Sequence, residues 1–138
     1  MPLDQPDVGA WLDLARADLA MADLALADVH ATPAMFGLVC FHAQQAAEKV
    51  LKAAVILHGA PVPRSHSLVL LTDVVARGNH VSEDILVAAA ALNEYGVGPR
   101  YPGVRPPSSR AEALAARSAA NVVIAWAMQW LDSAVPEH

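Results

Sequence analysis

A chain of 138 residues can form one domain with a core that buries roughly two thirds of its unfolded surface. Its net charge of −5 argues against a general polyanion binder, and its single cysteine, Cys40, excludes an internal disulfide framework or a cysteine-based zinc cluster. The hydrophobic fraction is 55%, much of it alanine, and strand-forming residues are sparse; this predicts an all-α fold with apolar surface left to cover.

The acidic, polar start of the chain does not read as a signal peptide, and no apolar run reaches the roughly 18 residues of a membrane span. The expected compartment is the cytoplasm. A first helix is predicted over about 7–29, with Asp7 as N-cap and a stripe of Val8, Trp11, Leu12, Ala15, Leu19, Ala22, Leu26 and Val29. Asp13, Asp18, Asp23 and Asp28 recur five apart. Five residues turn a helix by about 140°, so these carboxylates cannot share a metal and read as solubilising.

Thr32 and Pro33 start a second helix that runs to about His58 and stops at Gly59. Its apolar arc carries Phe36, Val39, Cys40, Ala43, Ala46, Ala47, Val50, Leu51, Ala54 and Leu57. Cys40 is thus expected in the core. Gln44, Gln45, Glu48, Lys49 and Lys52 fill the polar arc, where Glu48 and Lys52 form an i,i+4 pair. Phe41 lies in the middle of that arc. A solvated face does not carry such an aromatic, so another helix, a second subunit or a ligand is expected there.

Prolines extend the linker over 61–66. A third helix is predicted from Ser67 to Arg77, ended by Gly78-Asn79, and a fourth from Ser82, with Glu83 and Asp84 in its first turn, to about Tyr95. In residues 96–107 seven of twelve are Gly or Pro, which excludes helix. Ser109 and Glu112 form a capping-box pattern for a last helix over about 110–132, whose second half is apolar nearly all round and predicts burial on more than one side. Short connections imply an antiparallel up-and-down bundle of four to five helices in a single domain, the bundle spanning about 7–132.

Charge is unevenly placed. Residues 96–117 hold Arg100, Arg105, Arg110 and Arg117 against Glu112 alone. Arg100 and Arg105 can each offer a forked donor set to a phosphate, with Tyr101 stacking on a base; alternatively Arg100 locks the segment through a salt bridge to Glu94 or Glu48. The six histidines suggest no metal: His42 and His58 lie too far apart on one helix, and no His-Glu-x-x-His pattern exists. His66, with Arg64, suits a proton donor or phosphate contact, or else a cap for the third helix.

Taken together, Phe41-His-Ala-Gln-Gln-Ala-Ala-Glu-Lys-Val-Leu-Lys52, Pro63-Arg-Ser-His-Ser-Leu68, Leu92-Asn-Glu-Tyr95 and Arg100-Tyr-Pro-Gly103 resemble, in order, the HEPN family (higher eukaryote and prokaryote nucleotide-binding domain) over about residues 8–132. The resemblance implies a helical bundle, usually a homodimer, often encoded beside a minimal nucleotidyltransferase as a toxin–antitoxin pair. It implies no cofactor. Active members of the family are metal-independent RNA endonucleases with an Arg-x4–6-His motif, whose arginine holds the scissile phosphate while the histidine moves protons.

Arg100 matches the motif arginine, but Arg105 stands where the histidine is expected, and neither Pro106 nor Pro107 supplies it. An arginine is a poor proton shuttle near neutral pH. The tyrosine that some partners adenylylate, two residues after the histidine, corresponds to Pro107. The leading expectation is therefore a nucleotide- or RNA-binding module with weak or lost nuclease activity. Arg100, Tyr101 and Arg105 would contact the ligand, with Lys49, His42 and Arg64 lining the cleft. The alternatives are an active ribonuclease toxin that recruits His66 or His42, and a non-catalytic structural partner.

Overall fold

The computed structural model describes residues 7–96 and 108–133. They form five helices: α1 (Val8–Ala27), α2 (Pro33–Leu57), α3 (Leu68–Ala76), α4 (Glu83–Asn93) and α5 (Arg110–Ser133), with no strand among the described residues. Helix starts are set by side chains that accept orphan backbone N–H groups. Asp7 accepts from Ala10 at 2.7 Å, Thr32 from Met35 at 3.3 Å, Ser67 from Leu70 at 3.3 Å and Ser109 from Glu112 at 3.1 Å. α2 stops where Gly59 takes φ +75°, and α3 where Arg77 and Gly78 both enter the left-handed region.

Two caps differ from expectation. Ser82 precedes α4, but its hydroxyl donates to Asp84 and makes no cap bond. Glu112 completes only half of a capping box: its backbone N–H reaches Ser109, while its carboxylate accepts from the Tyr95 hydroxyl at 2.7 Å. That bond ties the start of α5 to the turn after α4.

α2 is the central element, packed on α1, α3, α4 and α5. Its arc of Val39, Cys40, Ala43, Ala47, Leu51 and Ala54 is fully buried, and the alanines let neighbouring helices approach closely. α5 answers with Ala113, Ala116, Ala120, Val123, Ala127 and Leu131, a single stripe at helical spacing. The second half of α5 is thus buried on one side within a single chain; Val122 remains exposed. Val29, assigned to the first helix's stripe, is 85% exposed because α1 ends two residues earlier.

α1 runs antiparallel to α2, with Trp11 under the Lys52 ammonium near one end and Asp18 on His42 farther along. α3 and α4 form an antiparallel pair closed by the Leu68 N–H on the Asn93 side-chain carbonyl at 2.7 Å. α5 lies along α2 in the same direction: Arg110 stacks on Phe36 near their starts, and Trp130 meets His58 near their ends. The linker after α2 makes this possible by carrying the chain back to mid-α2, where His66 meets Glu48. No helix among the described residues is long and apolar enough to cross a membrane.

α1 is tied to α5 by Arg117, which donates to both Asp23 carboxylate oxygens at 2.8 and 3.2 Å. Those hydrogen bonds hold the Asp23 carboxyl below its ordinary value of 3.8; partial burial opposes the shift and the guanidinium charge adds to it. A depressed folded-state value contributes stability above the unfolded value, and that contribution is lost as pH falls through the folded one. Asp23 is more than half exposed, so solvent screens the pair. Arg117→Ala should cost about 0.5–1 kcal/mol in urea melts at neutral pH. The difference from wild type should vanish in acid; a constant difference would assign the effect to packing alone.

Candidate functional site

The polar arc of α2 is not a solvated face. It is organised around two buried carboxylates, one contributed by α1 and one by α2 itself.

Asp18 is only 8% exposed. It accepts from His42 Nδ1 at 2.8 Å and from Lys49 Nζ at 2.5 Å, joining α1 to two points about two turns apart on α2. The expectation that all four evenly spaced aspartates are solubilising therefore fails here. Asp18 lies three residues after Ala15 and four before Ala22, both buried, so helical phase places it inside the core stripe. The others turn elsewhere: Asp13 to Arg16 at the surface, Asp23 to Arg117, and Asp28 to the His30 N–H.

Glu48 is 4% exposed and is the acceptor for three side chains. Gln44 Nε2 donates at 3.2 Å and Lys52 Nζ at 3.1 Å, while His66 Nδ1 lies 3.0 and 3.1 Å from the two carboxylate oxygens. Gln44 is wholly buried and accepts in turn from Gln45 Nε2 at 2.7 Å. The pair predicted between Glu48 and Lys52 is thus one limb of a larger network. Phe41, half-buried on this arc, sets its ring edge-on to His42 at 5.7 Å.

His66 does not cap α3, because Ser67 does. Its side chain is 77% exposed, yet its Nδ1 is fixed on a buried carboxylate. With the proton on Nδ1 donated to Glu48, Nε2 is the acceptor on the opposite edge of the ring. An imidazole oriented in this way by a carboxylate can take up or release a proton at Nε2. Arg64 is exposed two residues earlier in the same linker.

The structure thus brings His42 and Lys49 together on Asp18, and seats His66 on the adjacent Glu48 network with Arg64 nearby. Arg100, Tyr101 and Arg105 lie outside the described residues. The chain enters that segment at Gly96, where a Cβ would sit 3.7 Å from Gln44 Nε2, and leaves it at buried Ser108. Arg110, just beyond, donates to the Leu26 and Asp28 carbonyls at 2.7 and 3.0 Å and so closes the C-terminal end of α1. Among the described residues, no three His, Cys, Asp or Glu side chains converge as a metal site.

Fold and site together define a small all-α domain whose longest helix carries a buried glutamine–glutamate–lysine face. The HEPN domain profile matches residues 8–130, and the chain belongs to the HEPN domain family. It is similar to the crystal structure of ST0689, described as an archaeal HEPN homologue, with 26% identity and a TM-score of 0.71 over 91% of this chain and 98% of that one. It is also similar to the crystal structure of TT1696 from Thermus thermophilus, with 31% identity and a TM-score of 0.76 over 89% of this chain and 97% of that one. No curated protein matches the chain significantly.

Proposed function

We propose that this HEPN domain is a cytoplasmic nucleotide- or RNA-binding module that acts as a homodimer beside a nucleotidyltransferase, in the manner of a toxin–antitoxin pair, with nuclease activity weak or lost. The observation that carries the reading is the buried Gln44–Glu48–Lys52 network, whose Gln44 lies beside Gly96, the residue after which the arginine-bearing stretch of the sequence follows. Arg100 and Arg105 are the phosphate contacts and Tyr101 the stacking residue; Arg64, exposed in the linker that carries His66, and Lys49, paired with Asp18, are the further cations of the reading. Arg105 in place of the motif histidine removes the usual proton shuttle.

Fluorescence anisotropy with a short labelled RNA tests this. Arg100→Ala should weaken binding by roughly 10- to 100-fold, the loss expected for a charge-assisted phosphate contact. Unchanged affinity would remove Arg100 from the site. Absence of any stabilisation by ATP, GTP or RNA at millimolar concentration would favour a purely structural partner.

A second reading, an active ribonuclease, draws support from one specific feature, the exposed His66 ring backed by Glu48. In that reading His66 is the general base for attack by the ribose 2′-hydroxyl. RNA cleavage in the presence of a chelator, abolished by His66→Ala and retained in His42→Ala, would select it. His42 is the weaker candidate because its Nδ1 and the neighbouring Lys49 are both committed to Asp18.

A further inference from the structure

The two adjacent glutamines of α2 form a relay whose polarity is fixed from one end. Glu48 is buried and acts as acceptor for Lys52 and for Gln44, so Gln44 turns its amide nitrogen toward the carboxylate, at 3.2 Å. The Gln44 carbonyl then faces the other way and accepts from Gln45 Nε2 at 2.7 Å. A flip of Gln44, which has no exposed surface, would set its carbonyl against the carboxylate. A flip of Gln45 would set two carbonyls face to face. The buried carboxylate therefore orients an amide two links away.

Gln45 itself is half-buried. Its remaining groups are a carbonyl oxygen and a second amide proton, side by side in one plane, and among the described residues neither has a further partner. Water adapts to an amide in any orientation, so holding one in place gains nothing against solvent. A nucleobase edge is different, because its donors and acceptors come in a fixed order.

We infer that Gln45 is the base-reading residue of this domain and that it selects adenine. This rests on the nucleotide- or RNA-binding reading above and adds the base that is recognised. Adenine sets a donor beside an acceptor on both of its open edges, N6–H with N7 and N6–H with N1, so it answers a glutamine amide with two hydrogen bonds either way up. Guanine does so on one edge alone, since O6 and N7 are both acceptors. Uracil also answers an amide, through N3–H and a flanking carbonyl, but a purine covers more of an aromatic ring. Phe41 supplies that ring: it lies four residues before Gln45, its neighbour on the same arc of α2. The place also suits the phosphate contacts. A Cβ on Gly96, after which the arginine-bearing stretch follows in sequence, would sit 3.7 Å from Gln44 Nε2.

Fluorescence anisotropy with labelled RNA hexamers of adenosine, uridine, cytidine and purine riboside tests the assignment. Purine riboside has the adenine ring system but lacks the N6 amine, so it isolates the hydrogen bonds from the stacking. The wild type should bind the adenosine hexamer most tightly, at least about 10-fold better than the purine riboside hexamer. Gln45→Met keeps the length of the side chain and removes both hydrogen-bonding groups; it should bind these two hexamers within about 2-fold of each other. Gln45→Ala, which lets water reach the Gln44 carbonyl, should do the same and serves if the methionine variant loses its helical circular dichroism. Wild type that binds all four hexamers alike, or uridine best, would overturn the adenine assignment and leave RNA binding intact. A preference for adenosine that survives in the folded variants would remove Gln45 from the reading of the base. No binding of any hexamer by wild type would overturn the underlying RNA-binding reading, and the inference with it.

Discussion

Glu48→Ala should lower stability by about 3–5 kcal/mol, the range for removing one partner of a buried charge network. The cost comes from what is left behind. Lys52, whose side chain is 11% exposed, loses its counter-charge, and wholly buried Gln44 loses the acceptor for its amide protons. Gln44, with no exposed surface, cannot turn to water without opening the contact of α2 with its neighbours. In a domain of this size the thermal midpoint should fall on the order of 10–20 °C. Glu48→Gln keeps the shape but presents amide protons toward an ammonium, so it should fall between wild type and alanine. Glu83→Ala, at an exposed acid in the first turn of α4, should cost at most about 1 kcal/mol through the helix dipole. A loss below about 1 kcal/mol for Glu48→Ala would mean that this carboxylate is solvated in solution.

The same geometry separates folding from chemistry at His66. The ring lies mostly in solvent, so His66→Ala should cost under about 1 kcal/mol while removing the exposed imidazole seated on Glu48. A variant that melts like wild type yet changes RNA binding or cleavage would place the dyad at the ligand. Glu48→Ala cannot make that distinction, because it damages the scaffold as well.

Local signals in the chain account for most of the architecture. Asp7, Thr32 with Pro33, Ser67, Gly59 and Gly78 each act through two or three neighbouring residues, so helix ends are readable without tertiary information. Asp18 was readable in principle as well. A wheel places it between Ala15 and Ala22 on the buried stripe, but the five-residue recurrence of aspartate along the helix obscures that phase. The union of His66 with Glu48 was not readable. It depends on a proline-extended linker turning back along α2, and linker direction is set by packing rather than by pattern. The parallel course of α2 and α5 has the same origin: it is the sum of every turn between them, and no single residue encodes it.

Asp18→Ala should be the second most damaging change, costing roughly 3 kcal/mol or more, and the form of its rescue tests what the site is for. The substitution strands Lys49, whose side chain is 18% exposed, and removes the acceptor of His42, so two turns of α2 lose their tie to α1 together. A buried ion pair pays a large desolvation cost, and well-packed apolar residues of similar volume often replace both partners with little net loss. Asp18→Leu combined with Lys49→Met should therefore be considerably more stable than Asp18→Ala alone, with strong non-additivity in a double-mutant cycle followed by urea denaturation. If Lys49 served only to hold α1, this apolar pair would also bind RNA like wild type. If Lys49 contributes charge to the ligand, the repaired protein should melt near wild type yet bind RNA more weakly and with a shallower salt dependence, since one fewer cation meets phosphate. Stability restored without binding restored would assign Lys49 to the ligand site, and recovery of both would confine it to the scaffold.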